Sequence, residues 1–327
     1  GPLLHGATAI CYEGKPVGTP DPGAFWRVIS DYGVVAFFTA PTAFRAIRKE
    51  DPDAKFLKKY DLSKFRTLFL AGERADPPTL QWAEEILKVP VVDHWWQTET
   101  GWPMVANGLG FEALPIKAGS PTLPVPGFDI VALNNESRVL GAHQQGSLAV
   151  RLPLPPGCLP TLWNNDDGFC SAYLREHPGY YTTGDGGYVD EDGYVFVMGR
   201  IDDVINVAGH RLSTGSLEAV VATHELVAEC AVIGVADAIK GQIPKAFVVL
   251  KSGAQIDAEE LRKQIVALVR KEVGPVAALN EVVMVPGLPK TRSGKVLRKT
   301  MRGIADGKHV DIPSTIEDAS ILDLLRP

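Results

Sequence analysis

The stretch VPVVDHWWQTETG, residues 89–101, decides how this sequence is read. Its first half is a near-continuous apolar run, the pattern of a strand buried in a parallel sheet, and its second half is a turn rich in hydrogen-bonding groups. Two upstream runs share that shape, AFFTAP (36–41) and TLFLAG (67–72), each ending in small or polar residues. Between the runs, PTAFRAIRKE (41–50) and DPPTLQWAEEILK (76–88) repeat Ala, Leu, Trp and Ile every three or four positions, as amphipathic helices do. This alternation predicts βαβ units, so residues 1–110 read as an α/β layer. Ligands of such layers gather beyond the carboxyl ends of the strands. Chemistry is therefore expected at Thr39, Gly72, Glu73 and the segment from Asp93.

Further along, the texture changes. Prolines and glycines cluster in GSPTLPVPGFDI (119–130) and RLPLPPGCLP (151–160), and short strands such as GSLAVRL and GYVFVMGR predict a β-rich part over 111–201 beside the α/β layer. The run GRIDDVINVAGHR (199–211) marks a boundary. Beyond it, SLEAVVATH reads as helix, and ECAVIGV, KAFVVLK and EVVMVP read as strands. AEELRKQIVALVRKEV carries Leu261, Ile265, Leu268 and Val269 on one helical face and stops at Gly274 before Pro275. The chain thus divides into 1–201 and a smaller α+β domain over 202–327.

Composition bounds the function. Of 327 residues, 45% are hydrophobic and 22% charged, which fits a globular protein and excludes disordered and fibrous classes. The net charge of −6 gives no global pull toward nucleic acid or anionic lipid. No stretch approaches the ~20 apolar residues of a membrane helix. Cys11, Cys158, Cys170 and Cys230 form no CxxC pair, which argues against zinc and a disulfide framework and fits a reducing compartment. Gly1 and Pro2 run straight into LLHGATAICY without a polar lead-in or initiating Met, as a chain entered within a folded domain would.

Four segments can carry chemistry. In DHWWQTETG (93–101), Trp95 and Trp96 offer flat surfaces and Gln97, Thr98 and Thr100 offer hydrogen bonds, while the Glu99 carboxylate can hold Mg²⁺ bridging phosphates. A buried tryptophan pair with a polar turn fits those residues equally well. In TGD (183–185), Asp185 suits bidentate bonding to a ribose diol, whereas DEDG (190–193) reads as a hairpin turn. Arg200 and Arg211 flank a turn with Asp202, Asp203 and His210, and two guanidinium groups can clamp phosphate oxygens; a solvated turn is the commoner role of such charge. His210 has no Ser or Cys partner in a recognisable motif. LPKTRSGKVLRKT (288–300) reads as a basic loop whose Lys295, after Gly294, can swing in to neutralise developing charge. A nucleic-acid patch is the other reading of that loop, and the acidic chain argues against it.

Taken together, TAPTA (39–43), AGE (71–73), DHWWQTETG, TGD, GRIDDVINVAGHR and PKTRSGK resemble the adenylate-forming acyl-CoA synthetases, in the short-chain acetyl-/propionyl-CoA synthetase branch. The resemblance runs along the whole chain. It implies the latter part of that family's large α/β domain followed by its small mobile lid. The implied activity is AMP-forming: ATP and a carboxylate give acyl-AMP and pyrophosphate, and coenzyme A then displaces AMP. The cofactors implied are ATP, Mg²⁺ and coenzyme A, with no nucleic acid and no membrane.

Carried over residue by residue, the resemblance implies that Ala71, Gly72, Glu73 and Arg74 lie against adenine together with Asp93, His94, Trp95, Trp96, Gln97 and Thr98. Glu99 would bind Mg²⁺, Asp185 the ribose hydroxyls, and Arg200 and Arg211 ribose and phosphate. Asp202 matches the hinge and Lys295 the adenylation lysine, which a lysine acyltransferase and deacylase would regulate. Ala208 and Gly209 would line the pantetheine tunnel, and Arg270 would meet the CoA nucleotide. A cation site of some relatives maps to Ala222, His224 and Val227. Trp96 matches the floor of the acyl pocket. Acetate enzymes usually carry Val at the place of Ala71, so propionate is expected over acetate and butyrate, with acetyl-CoA synthetase as the alternative. His94 departs from the Thr common in acetate enzymes. The family's Ser/Thr/Gly-rich phosphate loop is not found in this sequence, and a non-catalytic nucleotide- or CoA-binding fragment is the second reading. A cytoplasmic location is expected, or the mitochondrial matrix for a eukaryotic source.

Overall fold

The computed structural model describes residues 2–72, 75–292 and 294–325, without the side chains of Asp202, Arg211 and Leu324. The opening α/β layer contains α1 (Ala24–Tyr32), β1 (Ala36–Thr39), α2 (Pro41–Glu50), β2 (Thr67–Leu70), α3 (Pro77–Leu87) and β3 (Val91–Trp95). The three strands pair in parallel in the order β1-β2-β3, in a register that sets Phe38 beside Phe69 and Leu70 beside Asp93. Proline opens both α2 and α3, where its fixed φ suits the first turn and its missing N–H costs nothing. Asp76 caps α3 by accepting the Thr79 N–H at 3.0 Å. Trp26, Phe44, Ile47, Leu68, Leu70 and Trp82 are buried together between helices and sheet. Helix α1 is an element the sequence reading left undescribed, although Phe25, Trp26 and Ile29 mark its buried face.

Two short strands, β4 (Val105–Ala106) and β5 (Leu123–Pro124), add antiparallel to β3 and lead the chain into the β-rich part. There β6 (Ile130–Leu133), β7 (Gly146–Arg151), β8 (Tyr180–Val189) and β9 (Val195–Arg200) form an antiparallel sheet in sequential order. The 190–193 turn joins β8 to β9 as expected, with Asp190 accepting the N–H groups of Asp192 and Tyr194. Between β7 and β8 lies a helix the strand pattern gave no hint of, α4 (Asp166–Tyr173), capped by Asn165.

The remaining sheet runs β11 (His210–Leu212), β10 (Ile205–Val207), β13 (Gly241–Leu250), β12 (Val227–Asp237), with β14 (Glu281–Met284) parallel to β13. Both its faces are covered, because β12 and β13 bury side chains on each side. Helices α5 (Thr214–Val221) and α6 (Ala258–Glu272) pack on one face through Leu217, Val221, Leu261, Ile265 and Val269. On the other face lie α7 (Arg298–Ala305), through Met301, and the tail residues Leu322 and Leu325. The stretch 288–300 is therefore not loop throughout: from Arg298 it is helix, because Met301 and Ile304 continue a helical spacing that fills the second face.

This last sheet packs against the opening layer, with β12 beside α2, and the Ser252 N–H donates to the Lys49 carbonyl at 3.0 Å. Among the described residues, no helix is long and apolar enough to cross a membrane.

Candidate active site

The best-defined feature is the Asp185 carboxylate on β8, in a residue only 8% exposed. Its Oδ2 accepts from Trp95 Nε1 at 3.0 Å and from Gln97 Nε2 at 2.9 Å, while Arg200 Nη1 lies 3.7 Å from Oδ1. Three elements thus converge on one side chain: β3 with the turn after it, β8, and the end of β9. Gln97 is itself fixed, donating to the Thr183 carbonyl at 2.7 Å and accepting from Tyr181 at 3.0 Å. Gly184, at φ +71°, has no side chain to obstruct the Arg200 guanidinium folded over it. Burial raises the Asp185 pKa, opposed in part by the Arg200 charge, the two donors and the Lys295 charge.

Next to it, residues 97–101 form a tight turn, with the Thr100 hydroxyl meeting the Gln97 N–H at 3.1 Å and its carbonyl at 2.9 Å. The Glu99 carboxylate stands on this turn, and its Oε1 accepts from the Tyr173 hydroxyl at 2.7 Å. Behind the turn, the Leu159 N–H donates to the Glu99 carbonyl at 2.6 Å. Trp95 is buried in the core between layer and β-rich sheet, whereas Trp96 is 40% exposed. The two rings are therefore placed differently, Trp95 within the packing and Trp96 partly at the surface.

No described group of three or more His, Cys, Asp or Glu side chains could hold a metal ion. A single carboxylate beside hydroxyls and a carbonyl is too little for a resident divalent cation. It does suit Mg²⁺ arriving with a nucleotide, since that ion is commonly held by one or two carboxylates plus phosphates.

Lys295 is exposed on a loop pinned at its base, where Thr291 N–H donates to the Lys295 carbonyl at 2.8 Å. Its neighbour Gly294, at φ +90°, sits so close to Thr42 that an added Cβ would lie 2.6 Å from Thr42 Oγ1. The loop thus closes over the start of α2, on the side where β1 and β2 end. The tail lies along it: Arg292 N–H donates to the Thr315 carbonyl and Glu317 N–H to the Lys290 carbonyl, both at 2.9 Å. Glu317 also meets Lys15 at 2.9 Å.

Other predicted residues fall as follows. Ala71 is buried just beyond β2, its N–H donating to the Thr39 carbonyl at 3.1 Å, and Gly72 follows at φ +102°. Asp93, His94 and Trp95 lie within β3, so only Trp96 onward extends beyond that strand. Asp93 accepts the His94 N–H at 2.9 Å. The His94 ring packs against Phe69 and edge-on to Phe38, with Nδ1 3.2 Å from the Leu70 carbonyl, and burial lowers its pKa. Thr98 is exposed on the turn.

Ala208 and Gly209 form the exposed β10–β11 turn, both at positive φ. Arg270 lies exposed near the end of α6, where Arg262, Lys263, Val266, Ala267 and Lys271 share a shallow groove with it. Of the cation-site residues, Ala222 follows α5, Val227 is buried at the start of β12, and both His224 ring nitrogens are engaged, by Gln264 at 2.8 Å and the Leu226 N–H at 3.3 Å. Glu73 and Arg74 lie outside the described residues, as do the side chains of Asp202 and Arg211.

Sequence reasoning missed Tyr173 and Tyr181. The second was within reach, two positions before the quoted TGD of 183–185, but Tyr173 comes from α4, which carries no repeating pattern.

Two family models match this chain, the AMP-binding enzyme model over residues 1–155 and the AMP-binding enzyme C-terminal domain over residues 216–295. The chain belongs to the AMP-binding enzymes. Asp185 and Arg200 fall between the two matched ranges, on a segment the relatives share. Acyl-CoA synthetase short-chain family member 3, mitochondrial, of Mus musculus is 51% identical over 98% of this chain and 47% of its own length. Propionate–CoA ligase of Escherichia coli is 44% identical over 99% of this chain and 52% of its own. The crystal structure of the anthranilate CoA ligase AuaEII in complex with anthranoyl-AMP superposes with a TM-score of 0.79 at 28% identity, over 91% of this chain and 54% of that one. The chain spans about half the length of the curated relatives it matches, and its fold is that of the adenylate-forming enzymes.

Proposed function

We propose that this chain carries the nucleotide-binding turn and the lid of an AMP-forming ligase that activates a short-chain carboxylate, propionate by preference, and passes the acyl group to coenzyme A. The observation that carries the reading is the Asp185 carboxylate, fixed at Oδ2 by Trp95 and Gln97, with the charges of Arg200 and Lys295 acting on it. A buried, oriented carboxylate beside cations suits a ribose diol joined to a phosphate. The printed names of the mouse and Escherichia coli relatives support acid–thiol ligation, and the anthranoyl-AMP of the structural relative supports an acyl adenylate.

In the first half-reaction a carboxylate oxygen attacks the α-phosphorus and the bond to pyrophosphate breaks. Negative charge would grow on the phosphoryl oxygens, which Arg200 from its packed position and Lys295 from its exposed loop would neutralise, while Glu99 would hold the Mg²⁺ that accompanies ATP. Gly72 and Trp96 would border adenine and acyl group, with Ala71 leaving room for one carbon more than acetate. A methylene is worth only ~1–3 kcal/mol of discrimination, so this is a preference. In the second half-reaction the coenzyme A thiol attacks the acyl carbonyl and AMP leaves. Residues 202–327 would turn about Asp202 to withdraw Lys295 and present Ala208, Gly209 and Arg270 to coenzyme A. An exposed Lys295 is open to a lysine acyltransferase, and acylation would remove its charge. We assign the enzyme to the cytoplasm, or to the matrix if its source is eukaryotic.

Acid-dependent ATP–pyrophosphate exchange tests the reading. Exchange is expected from the full-length protein, and kcat/KM there should rank propionate first. Acetate ahead by tenfold would overturn the preference, and absence of exchange with any short acid would overturn the activity. Exchange by the isolated 327 residues would rule out a purely binding role for them.

A further inference from the structure

Two tyrosine rings lie stacked beneath the 97–101 turn. Tyr173, the last residue of α4, and Tyr181, in β8, have ring centroids 5.4 Å apart and planes within 11°. Phe169 packs against the outer side of Tyr173 at 5.3 Å. The two hydroxyls go to different residues of the turn. Tyr173 donates to Glu99 Oε1 at 2.7 Å and Tyr181 to Gln97 Oε1 at 3.0 Å. Gln97 in turn donates to Asp185. One aromatic plate thus supports two branches, one ending on Glu99 and the other on Asp185.

We propose that Tyr173 is a positioning residue for the carboxylate that meets the nucleotide's magnesium ion, and that Tyr181 holds the ribose branch separately. This rests on the reading of Glu99 given above. A glutamate on a turn otherwise samples several χ settings, only some of which present an oxygen to the ion. A hydroxyl bond to Oε1 fixes the carboxylate plane and leaves Oε2, and a second lone pair on Oε1, for the cation. Partners of metal-ligating carboxylates commonly matter by 10–100-fold in metal affinity. Here phosphates and water supply most of the coordination, so the effect belongs at or below the lower end of that range.

The test uses the full-length protein and calorimetric titration of ATP at graded Mg²⁺ concentrations, with an EDTA arm. Tyr173→Phe keeps the ring stack and removes only the hydroxyl, and its melting temperature checks the fold. The Mg²⁺ concentration giving half-maximal enhancement of ATP binding should rise about threefold to tenfold. ATP affinity in EDTA and thioester formation from supplied acyl-AMP should stay at wild-type values. Tyr181→Phe should weaken ATP binding alike with and without Mg²⁺. A Tyr173→Phe protein with wild-type Mg²⁺ dependence, or one equally weakened in EDTA, overturns the assignment. Glu99→Gln separates the two layers. If it shifts the Mg²⁺ dependence and Tyr173→Phe does not, only the tyrosine's role falls; if it shifts nothing, the Glu99 reading falls and the tyrosine's role with it.

Discussion

Asp185 and Lys295 are held in opposite ways. The carboxylate is buried and receives donors from the β3 strand and its following turn, with Arg200 alongside. The lysine is exposed on a loop tied down by a few backbone bonds, some of them to the tail, and one surface ion pair. On the proposed reading, the difference shows how such a site would divide its labour. Groups that must already be oriented when charge develops are built into packed sheet, where low dielectric strengthens each contact. A group that must come and go is mounted where few contacts break when it leaves.

The largest effect should come from removing the charge on the exposed loop. Lys295→Ala is expected to lower acyl-AMP formation, measured by acid-dependent pyrophosphate exchange, by roughly 10²–10³-fold. Thioester formation from supplied acyl-AMP should be spared, and equal loss of both would contradict the division.

The fixed half can be tested through pH. Burial raises the Asp185 pKa in the folded protein, so the stability tied to its neutral form is complete below the ordinary aspartate value of ~3.9 and is lost as pH rises through the raised value. Asp185→Asn cannot ionise. The stability of the wild type relative to this variant, from urea unfolding across the acid range, should therefore fall with rising pH from ~4 upward. A difference that is flat, or grows with pH, would mean that burial does not dominate at Asp185.

The smallest effect belongs to the clasp between tail and opening layer. Lys15 and Glu317 have side chains 69% and 45% exposed, and exposed pairs contribute little. Lys15→Glu should change exchange by no more than about twofold, and less at high salt, with Glu317→Lys in the same protein restoring it. A loss comparable to that of Lys295→Ala would show the tail to be a principal holder of the lysine loop.

Much of the fold was legible because its signals are local. The apolar runs at 36–41, 67–72 and 89–95 became β1 to β3, and of the stripe Leu261, Ile265, Leu268 and Val269 all but the half-buried Leu268 became the buried face of α6. The short α4, with Phe169 as its one buried residue, lacks a repeating stripe by which a sequence pattern shows a helix. The basic stretch around Lys295 was read by its charge, which obscured the apolar positions that make α7 from Arg298 onward. That the His94 ring is engaged by Phe38, Phe69 and Leu70 was not legible, because strand pairing supplies those neighbours.

By itself the sequence determined which residue types stand at the strand ends and on the glycine-supported loop, because strand and helix periods and turn chemistry act over a few positions. Only the tertiary structure decided that Trp95 turns inward to Asp185 while Trp96 faces out, that Tyr173 reaches Glu99 across 74 positions, and that the Lys295 loop closes on Thr42. Those contacts join residues far apart in the chain. Their geometry follows from how the three sheets and their helices pack, which no local pattern encodes.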